Sequence, residues 1–220
     1  MLFDIDGTLL RRAGEHHRQA LVAAIRRATG AETTTENIPV AGMLDRDILA
    51  LMMARAGMKP GPIRRAMPDV VKLAQSIYVR SAPVLARRVC PGVRRLLGGL
   101  ARRGAVMGLV TGNLTRIGWR KMERAGLRPY FRFGAFAELA KDRAGLVRIA
   151  IRRARREGWI APGSAISLVG DHPNDIRAAQ ANGIRSVAVA TGLASLEELR
   201  SQRPDVALPD LRSLALEILL

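Results

Sequence analysis

The chain has 220 residues, 48% hydrophobic and 25% charged, which supplies a packed core and excludes a disordered chain. Its single cysteine, Cys90, excludes an intrachain disulfide framework and a thiolate metal cluster. A net charge of +17 raises nucleic acid or an acidic membrane as partner. However, of the 36 basic residues only Lys59, Lys72, Lys121 and Lys141 are lysine, and the 32 arginines lie mostly in short pairs along the whole chain. Such scattered pairs read as solvated helix faces, not as a nucleic-acid-binding block, and produce a field that draws in small anions. No apolar run approaches the roughly 18 residues of a membrane helix. Asp4 and Asp6 interrupt the stretch where a signal peptide would be apolar, so the expected location is the cytoplasm, away from membranes.

In chain order, the first β-like run is Met1–Phe3, which is short for a central strand. From about Arg12 to Val89 the pattern is helical: Glu15–Ala28, Asp45–Ala56, Pro62–Met67 and Asp69–Arg87. After Pro91-Gly92 the rhythm changes to alternation. Strands are predicted at Val106–Thr111, Phe131–Phe136, Ala165–Gly170, Ser186–Ala190 and Val206–Leu208. Helices are predicted at Gly92–Arg103, Thr115–Ala125, Ala144–Glu157 and Asp175–Asn182, with Gly126, Gly158 and Gly183 placed as C-terminal caps. Alternating strand and helix implies a Rossmann-like parallel α/β sheet with helices on both faces. The expected layout is a core of residues 1–12 and 90–220 with an all-helical cap, residues 13–89, inserted after the first strand. No self-complementary patch is legible, which leaves the oligomeric state open.

Three short segments carry chemistry. Asp4-Ile5-Asp6-Gly7-Thr8 sets two carboxylates two residues apart, on one face if the chain stays extended, before a glycine that permits a sharp turn. Alone, this also fits an ordinary Asx turn. Thr111-Gly112-Asn113 follows the second strand and offers a hydroxyl and backbone N–H groups to an oxyanion, although a threonine there also caps helices. Gly170-Asp171-His172-Pro173-Asn174-Asp175 follows a later strand, and Asp175 fits equally as a helix cap. Together the segments bring Asp4, Asp6, Thr111, Asp171 and Asp175 to the carboxyl edge of one sheet, where open α/β folds build sites. Clustered carboxylates repel unless a cation lies among them, and magnesium takes oxygen ligands together with substrate phosphate.

These segments resemble the motifs of the haloacid dehalogenase-like hydrolases, and Gly170–Gly183 resembles the branch containing phosphoglycolate phosphatase. The resemblance implies that Asp4 is a nucleophile forming an aspartyl-phosphate and that Asp6 is the general acid and base. It implies Mg2+ held by Asp4, Asp171 and the Asp6 backbone carbonyl, with Asp175 orienting the metal's water. It also implies phosphate held by Thr111, Gly112 and Asn113. A lysine should complete the set. Lys141 is the preferred candidate, though Asp142 stands where a proline is common. Arg143 is an alternative, and Lys121 is expected well along a helix and away from the site. The substrate implied is a small phosphate monoester such as phosphoglycolate or a sugar phosphate. Asp6 argues against dehalogenation, which needs no protonated leaving group, and no cap lysine has the setting of a Schiff base. A phosphomutase and a basic nucleic-acid-binding module with a vestigial site are the rival readings. The Ile38–Asp47 segment is a candidate substrate-selecting loop. His16 and His17 read mainly as solvated, His172 as a rim residue, Trp119 and Trp159 as helix-packing residues, and Cys90 as structural.

Overall fold

The computed structural model describes residues 1–11 and 14–214. Six parallel strands form one sheet: β1 (Leu2–Phe3), β2 (Gly108–Val110), β3 (Phe133–Ala135), β4 (Ser167–Gly170), β5 (Arg185–Val189) and β6 (Val206–Leu208). Their order is β3-β2-β1-β4-β5-β6. The first strand has only two residues, yet it pairs on both sides: Leu2 with Gly108 and Leu168, Phe3 with Leu109 and Val169. This central strand is apolar at both positions because each face is covered. Leu2 and Leu168 pack with Leu146, Val147, Ala150 and Ala179 of α6 (Arg143–Arg156) and α7 (Pro173–Gln180). Phe3 and Val169 pack on the other face with Leu96, Leu97, Leu100 and Met122 of α4 (Val93–Arg102) and α5 (Thr115–Ala125). A fully buried side chain of this kind stabilises the fold by about 1.5–3 kcal/mol.

Trp119 meets Phe136 edge-on, and Trp159 tilts against Phe133, so both indoles pack beside the β3 segment. A short helix α8 (Leu196–Ser201), absent from the expected elements, starts where the Ser195 side chain accepts from the Glu198 N–H.

Between β1 and α4 lie three helices: α1 (Gly14–Thr29), α2 (Asp45–Arg55) and α3 (Pro60–Ser81). The expected break at Pro68 does not occur, and α3 is one helix of 22 residues. Proline at such a position removes a helix hydrogen bond and crowds the preceding turn. The buried stripe Ile63, Val70, Ala74 and Tyr78 runs through the proline and packs in one apolar cluster with Leu21, Ala24 and Ile25 of α1, which offsets that cost. The helix ends at Ser81, and of the expected continuation to Arg87 only a single 3-10 turn at Ala86–Arg88 remains.

The chain leaves the sheet domain and returns to it side by side. The Arg11 N–H donates to the Arg88 carbonyl (2.7 Å) and the Cys90 N–H to the Leu9 carbonyl (3.0 Å). The expected boundary at residues 12 and 13 lies outside the described residues.

Candidate active site

Asp4 continues the sheet ladder past β1, with its N–H donating to the Val169 carbonyl at 3.0 Å. The chain then turns at Gly7, whose φ of +88° suits glycine; a Cβ there would also run into the Asp171 carboxylate. That close approach lets Thr8 donate its hydroxyl proton to Asp171 Oδ1 at 2.9 Å. Asp171 stands at the end of β4, and Asp175 lies in the first turn of α7. The Asp175 carboxylate accepts from the His172 N–H (3.2 Å), so it does cap its helix. It also faces the site: Asp4, Asp171 and Asp175, all buried, each bring one carboxylate oxygen within 4.8 Å of the others.

Arg143 closes this cluster. It is 7% exposed, and its Nη1 lies 3.1 Å from Asp4 Oδ1 and 3.0 Å from Asp175 Oδ1. Burial alone would lower the guanidinium pKa, but Asp175 and Asp4 more than offset this and raise it. One cation does not balance three carboxylates. Burial first, then repulsion from Asp4 and Asp175, pushes Asp171 well above the ordinary carboxylate value. Burial likewise pushes Asp175 up, to about 7, against the pull of Arg143. Among the described residues, the buried oxygens Asp4 Oδ1 and Asp175 Oδ1 lack a well-directed hydrogen bond. All-oxygen donors, excess negative charge and unsatisfied buried lone pairs fit a hard cation.

Asp6 is held separately. Its Oδ2 accepts from Lys121 Nζ at 2.5 Å and from Asn113 Nδ2 at 2.8 Å. The ammonium of Lys121, fully buried, also donates to Asn113 Oδ1 (2.6 Å) and lies 3.2 Å from His17 Nδ1. The other His17 nitrogen lies 3.0 Å from Asp45 Oδ2, which accepts from the Leu114 N–H at 2.8 Å. Burial would raise Asp6, but the charges of Lys121 and His17 and the hydrogen bonds from Lys121 and Asn113 take it below the ordinary value. Asp6 Oδ1, in contrast, is out of solvent contact and has no hydrogen-bond partner among the described residues.

A pocket of about 230 Å³ opens over these groups, lined by Asp4, Asp6, Thr111, Asn113, Arg143 and Asp171 from the sheet side. The three-helix segment supplies the opposite wall, including His17, Arg18, Val40, Met43 and Ile48. The Gly42 loop is docked onto the sheet domain. Asn174 Nδ2 donates to the Gly42 carbonyl (2.8 Å), and the Asp45 N–H donates to the Gly112 carbonyl (2.7 Å). Gly42 has φ +67°, and a Cβ there would strike the His172 ring, so a side chain would lift the loop.

The structure brings together Asp4, Asp6, Thr111, Gly112, Asn113, Asp171 and Asp175, all named from the sequence, in or beside this pocket. It does not bring Lys141 there. Lys141 is exposed and lines a different groove with Leu139 and Glu138, while Arg143 reaches Asp4 instead. The reason is local: Asp142 caps α6 by accepting from the Gly145 N–H at 2.7 Å, which sets the first helical residue, Arg143, against the sheet. Lys121 corrects the expectation that it lies away from the site, because its helix packs under Asp6 and aims the long side chain inward. His17 is likewise inside, 15% exposed, not solvated. Asp45 was not singled out by the sequence; its only signal there was an acidic residue at the start of a helix.

The haloacid dehalogenase-like hydrolase family model matches residues 1–183. Phosphoglycolate phosphatase of Pseudomonas fluorescens is 26% identical, over 97% of this chain and 77% of that protein. The enzyme of the same name from Pectobacterium atrosepticum is 27% identical, over 94% of this chain and 87% of that protein. Among solved structures, CbbY from Rhodobacter sphaeroides in complex with xylulose-(1,5)bisphosphate superposes with a TM-score of 0.71 at 20% identity, covering 97% of this chain and 95% of that one. The family match spans both the strand-end carboxylates and the inserted helices: the chain belongs to the haloacid dehalogenase-like hydrolases and is an enzyme of that family.

Proposed function

We propose that the protein is a magnesium-dependent phosphatase of small phosphate monoesters, working through an aspartyl-phosphate on Asp4. The observation that carries the reading is the division of labour among carboxylates: Asp4 shares Arg143 with Asp175 in the cation-seeking cluster, whereas Asp6 is held apart by Lys121 with one oxygen unpartnered among the described residues. Asp4, Asp171, the Asp6 backbone carbonyl and, through water, Asp175 would hold Mg2+, which supplies Lewis-acid charge neutralisation of the phosphoryl oxygens when bound.

In this reading an Asp4 oxygen attacks phosphorus, and the bond to the ester oxygen breaks. Asp6 gives its proton to that departing oxygen, then takes a proton from the water that hydrolyses the aspartyl-phosphate. Asp6 is a carboxylate in the free site, and a phosphate dianion entering the pocket raises its affinity for the proton it must donate. Thr111, the following N–H groups and Arg143 hold the phosphoryl oxygens, Arg143 taking the role first assigned to Lys141. Helices α1–α3 act as the cap over the core, and the Ile38–Asp47 segment, which lines the pocket with Val40 and Met43, selects substrate.

Arg18 brings a guanidinium to the same pocket, which suits an ester with a second negative group. Phosphoglycolate is the default substrate, supported by the names of the two curated relatives. The cytoplasm is the proposed location. The described residues include no helix long and apolar enough to cross a membrane.

The test is phosphate release from a panel of monoesters, with and without magnesium, by wild type and Asp4→Asn. Release that needs magnesium and disappears in Asp4→Asn is expected. Turnover surviving in Asp4→Asn would sink the aspartyl-phosphate reading. Phosphate moved within a sugar phosphate without release would reassign the enzyme as a mutase.

A further inference from the structure

At the opposite edge of the sheet from the catalytic pocket, a second hollow of about 450 Å³ opens between α6, the start of β4 and the turn from α7 into β5. Arg148, Arg152, Arg155 and Arg185 line it, with Ser164 and Asn182 between them, and among the described residues no aspartate or glutamate does. The spacing from Arg148 to Arg152 to Arg155 is four then three residues, so one stripe of α6 presents all three guanidinium groups to the hollow. Among the described residues, none of these three side chains has an ion pair or a hydrogen bond. Arg185 differs, because it acts on the nearby carboxylate of Asp205.

Arg156, the next residue of α6, pairs instead with Glu157. Here like charges are stacked at helical spacing, an arrangement that repels itself unless an anion joins it. The floor of the hollow is fixed. Asn182 Nδ2 donates to the Ala144 carbonyl of α6 (3.0 Å) and the Ala178 carbonyl of α7 (2.8 Å), tying the two helices together.

We propose that this hollow is a second binding site, distinct from the catalytic pocket, for a compact polyphosphate anion of the diphosphate or triphosphate class. Arg148 and Arg155 are about 10 Å apart along the helix axis, which exceeds the reach of one phosphate group and matches two or three linked ones. Guanidinium forks pair with phosphate oxygens in bidentate fashion, and several forks converging on a hollow favour concentrated charge over a carboxylate.

The test is calorimetric titration with pyrophosphate in magnesium-free buffer. Three proteins are compared: wild type, the triple variant Arg148→Gln/Arg152→Gln/Arg155→Gln, and a charge-matched control, Arg27→Gln/Arg64→Gln/Arg65→Gln, on exposed faces of α1 and α3. The site predicts affinity at least about tenfold weaker in the first triple and within about twofold of wild type in the control. Arg152→Glu alone should reproduce most of the loss, which covers the case of a poorly folding triple. Turnover of a phosphate monoester should stay at the wild-type level in the first triple, because none of its residues lines the catalytic pocket. Equal losses in both triples would show general attraction to a +17 surface and overturn the proposal. No loss in either would overturn it as well. Binding of single-stranded RNA far tighter than pyrophosphate, lost in the same triple, would reassign the hollow to nucleic acid.

Discussion

Replacing Lys121 with methionine removes one buried ammonium while keeping nearly the same volume. That ammonium lies 2.5 Å from Asp6 Oδ2 and 2.6 Å from Asn113 Oδ1, and it is fully buried. Removing one partner of a buried ion pair costs about 3–5 kcal/mol, because the other charge stays behind unpaired. The Asp6 side chain is 30% exposed, so water can relieve part of this, and about 3 kcal/mol is expected near neutral pH. For a chain of this size that corresponds to a melting temperature lower by roughly 6–12 °C.

The pH dependence has a definite sign. In wild type the Asp6 pKa is depressed, so its contribution to stability is present above the unfolded carboxylate value and is lost as pH falls through the folded value. In Lys121→Met burial is opposed only by the His17 charge and the Asn113 hydrogen bond, and the pKa rises. The deficit should therefore be largest at pH 8 and shrink toward pH 4.5, because Asp6 of the variant takes up its proton at a higher pH than in wild type. Urea unfolding at both pH values, with Asp6→Asn and the double variant completing a cycle, measures it. A deficit below about 1 kcal/mol, identical at the two pH values and additive in the cycle, would refute the view that Lys121 holds Asp6 ionised.

Lys141→Ala should leave kcat/KM within about twofold of wild type, whereas Arg143→Gln should lower it by at least about a hundredfold, since Arg143, not Lys141, reaches Asp4. Steady-state kinetics on one monoester decides between them, and the reverse pattern would restore Lys141 as the charge-neutralising residue. The Cys90 thiol is buried, which pushes its pKa up to about 11. It should resist a thiol reagent at pH 8 until urea is added. Because the folded value is raised, its contribution to stability should decline as pH climbs from about 9 toward 11. Pro68→Ala, at an exposed position inside α3, should raise stability by about 1–3 kcal/mol in thermal or urea melts. Destabilisation there would mean that α3 depends on the bend a proline imposes.

The parallel sheet and the strand-end carboxylates were legible because they are local facts. Branched apolar runs followed by aspartate and glycine place Asp4, Asp6 and Asp171 at one edge through chain geometry alone, and glycines 126, 158 and 183 mark helix ends with their left-handed backbone. Pro68 was misread for the opposite reason. A local rule says the helix ends there, yet burial of Ile63, Val70, Ala74 and Tyr78 with α1 outweighs it. The cations were beyond sequence reach. Which of Lys121, Lys141 and Arg143 meets a carboxylate depends on the direction of a long side chain, set by the Asp142 cap and by the face on which α5 packs. The bridge from Asp6 through Lys121 and His17 to Asp45 joins residues far apart in the chain, with partners up to 115 positions distant. Composition and the strand and helix periods determined the fold class and set the strand-end carboxylates on one edge of the sheet. Only the tertiary structure decided which positive charges balance them, because electrostatic pairing is fixed by distance in space and by exclusion of water.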